Sequence, residues 1–197
     1  VAETIFSNGT VTEDKYNALG HLLKTKITGS DKKTIEESYG YDGCGRKISY
    51  KDANGNLNEY KYDLRGNKDE ESINGKVIET YEYDALGNII YKYDRFGNRT
   101  ENIYDTAGRL IESKDALGVT VQKLEYYDNN CQSKAIDSLG NVTTYKYDSD
   151  SRLISKIDGE NKETKTFYDS FGQVAKVVDG NGNATQYIYD GYGNLAI

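Results

Sequence analysis

Tyr83-Asp84-Ala85-Leu86-Gly87-Asn88 is followed, ten residues on, by Asp94-Arg95-Phe96-Gly97-Asn98, and the Ile89–Tyr93 stretch lies between them. The two Asp-x-x-Gly-Asn signals have the chemistry of a tight turn. Asp at the first position accepts a hydrogen bond from a backbone N–H two residues on, and Gly three residues later supplies φ > 0 for a type I turn closing into a bulge. Between them five or six residues remain, which is strand length and too short for an ordinary helix.

Outward from this stretch the same unit recurs. Tyr-Asp pairs stand at Tyr41-Asp42, Tyr62-Asp63, Tyr83-Asp84, Tyr104-Asp105, Tyr127-Asp128, Tyr147-Asp148, Tyr168-Asp169 and Tyr189-Asp190. Their aspartates are separated by 21, 21, 21, 23, 20, 21 and 21 residues. A weaker copy, Tyr16-Asn17-Ala18-Leu19-Gly20, precedes them. The half-step signal recurs at Asp52, Asp115, Asp137, Asp158 and Asp179. Gly66, Gly87, Gly108, Gly172 and Gly193 fill the left-handed position, whereas Asn161 takes it in the Asp158 turn and tolerates that region. Ser151 and Cys131 fit it less well, and irregular turns are expected there.

Strand segments alternate with period two. Thr143, Tyr145 and Tyr147 share one face and Thr144 and Lys146 the other; Tyr60 and Tyr62 flank Lys61, and Tyr81 and Tyr83 flank Glu82. Leu110, Leu153, Val174 and Leu195 follow the turns at matching offsets, where they meet tyrosine rings across the hairpin. A single hairpin is marginal, so stability must come from stacked neighbours. The expected fold is all-β: tandem antiparallel β-hairpins in a long curled or spiral sheet. Residues 1–15 are expected to form an N-terminal strand or irregular cap, and 16–197 eight to nine hairpin repeats that stop within a repeat.

Composition agrees with a half-buried sheet. Hydrophobic residues make up only 36% of the 197, yet 19 are Tyr, and Trp, Met and Pro are absent. Disordered chains are poor in aromatics, and Tyr suits a surface that is apolar on one side and wet on the other. A net charge of -7 with scattered Lys and Arg argues against a nucleic-acid surface. Apolar runs are too short for membrane insertion. The absence of an initial Met and of a signal peptide reads as a processed segment or a piece of a longer chain.

Tyr104-Asp105-Thr106-Ala107-Gly108-Arg109-Leu110 and the run from Asp137 to Asp148 resemble the YD-repeat, or Rhs-repeat, family. The shared pattern is Tyr-Asp-x-x-Gly-[Asn/Arg/Gln]-[Leu/Val/Ile], then Asp-x-x-Gly-Asn, then Thr-x-Tyr-x-Tyr-Asp, and the resemblance runs from about Tyr16 to the C-terminus. The family includes Rhs polymorphic toxins, wall-associated proteins, C components of insecticidal toxin complexes, and teneurins. It implies a spiral sheet closing into a hollow shell, in a secreted or cell-surface protein. In the toxins the shell encloses an effector; in teneurins it belongs to an adhesion apparatus. The Pro-containing segment linked to self-cleavage in toxin members has no counterpart here, so protease or toxin activity is not carried over.

Catalytic, cofactor and metal sites are therefore expected to be absent. The aspartates are needed for turn geometry. Asp179-Gly180-Asn181-Gly182-Asn183 has Ala184 at the sixth position and Asp190 at the twelfth, unlike a calcium loop. His21, the sole histidine, occupies the polar slot after Gly20, and no triad can be assembled around it. Cys44 and Cys131 sit one slot apart in equivalent turns, roughly 38 Å apart along a flat sheet. Free thiols, an intermolecular bond, and an internal bond across a strongly curled sheet all remain open. The partners expected are the remainder of a longer repeat chain, or copies of the chain pairing through open sheet edges. Glycans stacking on the Tyr stripe are a further candidate.

Overall fold

The computed structural model describes residues 2–196, so Val1 and Ile197, the outer limits of the two expected regions, lie outside the described residues. The chain is all-β and divides into two compact units, Val1–Arg99 and Thr100–Ile197. The first holds β1 (Ala2–Ile5), β2 (Val11–Tyr16), β3 (Leu22–Thr28), β4 (Thr34–Tyr41), β5 (Lys47–Lys51), β6 (Leu57–Tyr62), β7 (Lys68–Ile73), β8 (Lys76–Tyr83) and β9 (Ile89–Asp94). The second holds β10 (Arg99–Tyr104), which begins at the boundary, then β11 (Leu110–Lys114), β12 (Thr120–Tyr126), β13 (Gln132–Asp137), β14 (Val142–Tyr147), β15 (Leu153–Ile157), β16 (Glu163–Tyr168), β17 (Val174–Val178) and β18 (Ala184–Gln186).

Within each unit every strand pairs antiparallel with the strand before or after it. Among the described residues no hydrophobic side chain is buried, and only Ser72 and Ser155 fall that low. Cohesion must then reside in ladders, turns and cross-strand pairs instead of a packed interior. Cross-strand ion pairs such as Lys26–Glu13 at 2.9 Å and Lys61–Glu70 at 2.7 Å belong to this set.

The turns that follow Tyr-Asp pairs share a second irregularity. In β6–β7, Lys61 pairs with Glu70 but Tyr62 with Lys68, so Asp69 is an extra residue. Ile48, Ile90, Ile111 and Ile154 occupy the same extra position in four other hairpins. Such a bulge raises the local twist and breaks the ladder. Most half-step turns lack it; β5–β6 and β15–β16 run in plain register. Between β7 and β8 the half-step shrinks to two residues, Asn74 and Gly75, with φ of 51° and 75°, the arrangement favoured for a two-residue hairpin.

Two turns differ from expectation. The Asp148 turn is regular, because Ser151 adopts φ 62° and its N–H still closes on the Asp148 carbonyl at 3.1 Å. The turn assigned to Tyr127-Asp128 instead starts one residue earlier: Tyr127 N–H closes on the Cys131 carbonyl at 2.9 Å, and Asn130 takes the left-handed position at φ 67°. The reason is strand alternation. Tyr126, not Tyr127, falls on the face shared with Leu124, and β12 carries it there with the slip absorbed in the turn. Cys131 consequently lies at the fifth turn position and Cys44 at the third, two slots apart.

Candidate functional site

The recurring Tyr, Asp and Gly positions converge on one local arrangement. Apart from Asp128, each aspartate of a Tyr-Asp pair sits at the head of its turn, where its Oδ1 accepts the N–H groups of the third and fifth turn residues. At Asp63 these come from Arg65 at 2.9 Å and Asn67 at 2.8 Å. Asp84, Asp105, Asp148, Asp169 and Asp190 repeat the pattern. The fifth residue then adds a side-chain bond to Oδ2: Asn88 to Asp84 at 2.9 Å, Arg109 Nε to Asp105 at 2.7 Å, Arg152 Nε to Asp148 at 2.8 Å.

Several carboxyls are held below their ordinary range as a result. At Asp84 the main cause is the Asn88 side-chain amide, and at Asp105 and Asp148 it is the backbone N–H of Arg109 and Arg152. At Asp63 desolvation pushes upward, but the Asn67 and backbone hydrogen bonds outweigh it. These are anions saturated with donors. A general acid needs the opposite, a carboxyl whose proton is held near neutral pH.

In five repeats the tyrosine that ends the strand before the turn reaches back to the preceding hairpin. The β5–β6 ladder ends at Ser49 and Glu59, leaving the Lys47 carbonyl beyond it. The Tyr62 hydroxyl donates to that carbonyl at 2.7 Å. Tyr83 reaches Lys68 at 2.5 Å, Tyr126 reaches Leu110 at 2.8 Å, Tyr168 reaches Leu153 at 2.9 Å and Tyr189 reaches Val174 at 3.1 Å. Each acceptor is the first residue after the preceding Tyr-Asp turn. Tyr104 closes β10 opposite Leu110. Tyr147 packs edge-on against Tyr127 at 6.4 Å, and burial, then the neighbouring Cys131, push its hydroxyl up.

The fifth turn residue completes this latch. Arg46 lies over the Tyr62 ring at 4.7 Å, Arg109 over Tyr126 at 4.8 Å and Arg152 over Tyr168 at 4.9 Å. His21 uses the same slot to stack on Tyr41 at 4.8 Å. The arginine also presses on the next glycine: a Cβ on Gly66 would stand 3.3 Å from Arg46 Nη1, and one on Gly172 would stand 3.3 Å from Arg152 Nη1. Gly66, Gly87, Gly108, Gly172 and Gly193 all adopt φ between 77° and 94°. Sequence reasoning found the backbone demand and missed the close approach, whose only signal is the Arg one period before the Gly.

Beside the latch, the first unit carries a Tyr–Lys row. Tyr39 and Tyr50 stack at 5.1 Å and both donate to Glu37, at 2.9 and 3.0 Å. Lys47 lies between the Tyr50 and Tyr60 rings and Lys68 between Tyr60 and Tyr81, at 4.9 to 5.7 Å. Several ring faces that a sugar would need are thus taken by the protein's own cations. Both cysteines are free thiols, and no group of three or more His, Cys, Asp or Glu gathers for a metal among the described residues.

Residues 168–197 match the family model described as RHS Repeat. Over that C-terminal stretch the chain is similar to an Rhs repeat. Solved structures place the same fold along its length: the TcdB2-TccC3 crystal structure matches with TM-score 0.75 at 18% identity over 98% of this chain. TcdB2-TccC3-TEV matches with TM-score 0.74 at 17% identity, and the Photorhabdus luminescens Tc holotoxin pore carrying TccC3-D651A with 0.66 at 17%, each over 98% of this chain. The chain spans 12% of the length of each of those chains. No curated protein sequence matches it.

Proposed function

We propose that this chain is a non-catalytic scaffold, a wall segment of a larger secreted or cell-surface protein of the toxin-complex kind, with the repeat array running from Tyr16 onward. The observation that carries the reading is the commitment of the recurring carboxylates. Oδ1 of Asp63, Asp84, Asp105, Asp148, Asp169 and Asp190 accepts two backbone N–H groups of its own turn, and the hydroxyls of Tyr62, Tyr83, Tyr168 and Tyr189 are spent on the preceding hairpin. Tyr62, Tyr83, Tyr104, Tyr147, Tyr168 and Tyr189, with the aspartates and glycines that follow them, are structural in this reading. The natural partner is the rest of a longer repeat chain.

Substitution in the full-length protein tests it. Asp84→Ala and Tyr168→Phe should lower the melting temperature, and any activity of the whole protein should fall only in step with stability. Loss of catalysis at unchanged stability would overturn the scaffold reading. Long polymers in light scattering would favour assembly through sheet edges, and saturable binding on a glycan array would favour an adhesion role.

A further inference from the structure

One face of the second unit holds a cleft of about 480 Å³, bounded at one end by the latch, where Arg152 neutralises the Asp148 carboxylate and covers the Tyr168 ring. Its floor is Ser155, only 6% exposed, whose hydroxyl donates to Glu163 Oε1 at 2.7 Å. Lys146 and Lys165 stand directly across from Ser155 on the two neighbouring strands. Lys165 also reaches Glu163 at 3.2 Å. The walls are apolar and open: Ile154 is 36% and Phe167 47% exposed. Lys176 pairs with Phe167 across β16–β17 and lies 5.8 Å from its ring, a third cation at the rim.

The corresponding cleft of the first unit shows what is distinctive. Counted from the aspartate of the following turn, Glu59 stands there where Lys165 stands here, and Lys61 where Phe167 stands. Lys61 is engaged by Glu70 at 2.7 Å. The same depression carries the Lys61–Glu70 ion pair in one unit, whereas in the other it is lined by the Phe167 ring with Lys146 and Lys165, the latter shared with Glu163, and has Lys176 at its rim.

We propose that this second cleft binds an extended acidic peptide, seating one apolar side chain between Ile154 and Phe167 while flanking carboxylates meet Lys146 and Lys165. The two lysines lie on strands two apart, about 10 Å, which is about three residues of an extended chain. The apolar walls supply the buried anchor and the cations the selectivity. A phosphate polymer fits less well, because the net charge of -7 repels a long polyanion beyond these few lysines.

Fluorescence anisotropy with a labelled, end-capped Asp-Asp-Leu-Asp-Asp peptide tests this on the whole chain. Saturable binding is expected, weakened at least about fivefold by Phe167→Ser or Lys165→Glu and falling with added salt. Lys146→Gln, at an exposed position, should also weaken it and guards against a variant that fails to fold. Lys61→Ala should leave it unchanged. Absence of binding at about 1 mM peptide, indifference to these substitutions, or equal binding of Lys-Lys-Leu-Lys-Lys or of single-stranded DNA would overturn the proposal.

Discussion

At the scale of the residue, the turn glycines and the bulge carry the clearest tests. Gly108 adopts φ 77°, a conformation that costs a β-carbon-bearing residue about 1–2 kcal/mol. Gly108→Val should therefore lower thermal stability more than Ala107→Val at the neighbouring turn position. Equal shifts in melting temperature would remove the backbone argument. Asp69 is the converse case. It occupies the bulge position held elsewhere by Ile48, Ile90, Ile111 and Ile154, and its Oδ1 is enclosed without a hydrogen-bond partner among the described residues. Asp69→Ile should stabilise the chain by about 1 kcal/mol, read as a raised urea midpoint; a lowered midpoint would show that the carboxylate has a role in place. The Asp and Gly positions were legible from spacing alone because turn chemistry is local. The register at Tyr126-Tyr127 was not, since two tyrosines in a row satisfy a motif equally and only strand alternation separates them.

At the scale of the element, the hairpin with its latch is the repeating unit. The bulge after a Tyr-Asp turn ends the ladder to the next strand early, and in five copies a tyrosine hydroxyl takes up the carbonyl left over. Period-two alternation in the sequence showed which rings share a face, but it carried no sign of the bulge, whose extra residue is an ordinary Ile in most copies. The hydroxyl acceptor was invisible for the same reason: a backbone carbonyl has no sequence signature. Tyr168→Phe isolates this bond, keeping the ring beneath Arg152 while removing the donor to the Leu153 carbonyl. The loss should be about 1–2 kcal/mol, with amide hydrogen exchange quickened across β15 and β16 ahead of the rest of the second unit. Unchanged exchange there would mean the hydroxyl contributes nothing beyond its contact.

At the scale of the whole molecule, no apolar side chain is buried among the described residues, which shifts the burden of stability onto charged turns and makes pH the natural probe. Asp84, Asp94, Asp137 and Asp179 are held low chiefly by the side-chain amides of Asn88, Asn98, Asn141 and Asn183, and Asp190 chiefly by the Asn194 backbone N–H. A carboxyl whose pKa falls on folding binds its proton more weakly in the folded chain than in the unfolded one. Its contribution is complete above the unfolded value of about 3.9 and disappears as pH drops through the depressed folded value. The melting temperature should thus be level from neutrality to about pH 4 and fall steeply below it. At the alkaline end Tyr39 acts in the opposite sense: burial, then the Glu37 carboxylate, push its hydroxyl up to about 12. Its contribution is complete below about pH 10, where an unfolded tyrosine titrates, and is lost as pH rises toward that raised value. Thermal melts followed by circular dichroism from acid to alkali should therefore trace a plateau with two falling flanks, the alkaline one flattened by Tyr39→Phe. A melting temperature that stays level down to pH 2 would mean that the turn carboxylates do not hold the sheet together.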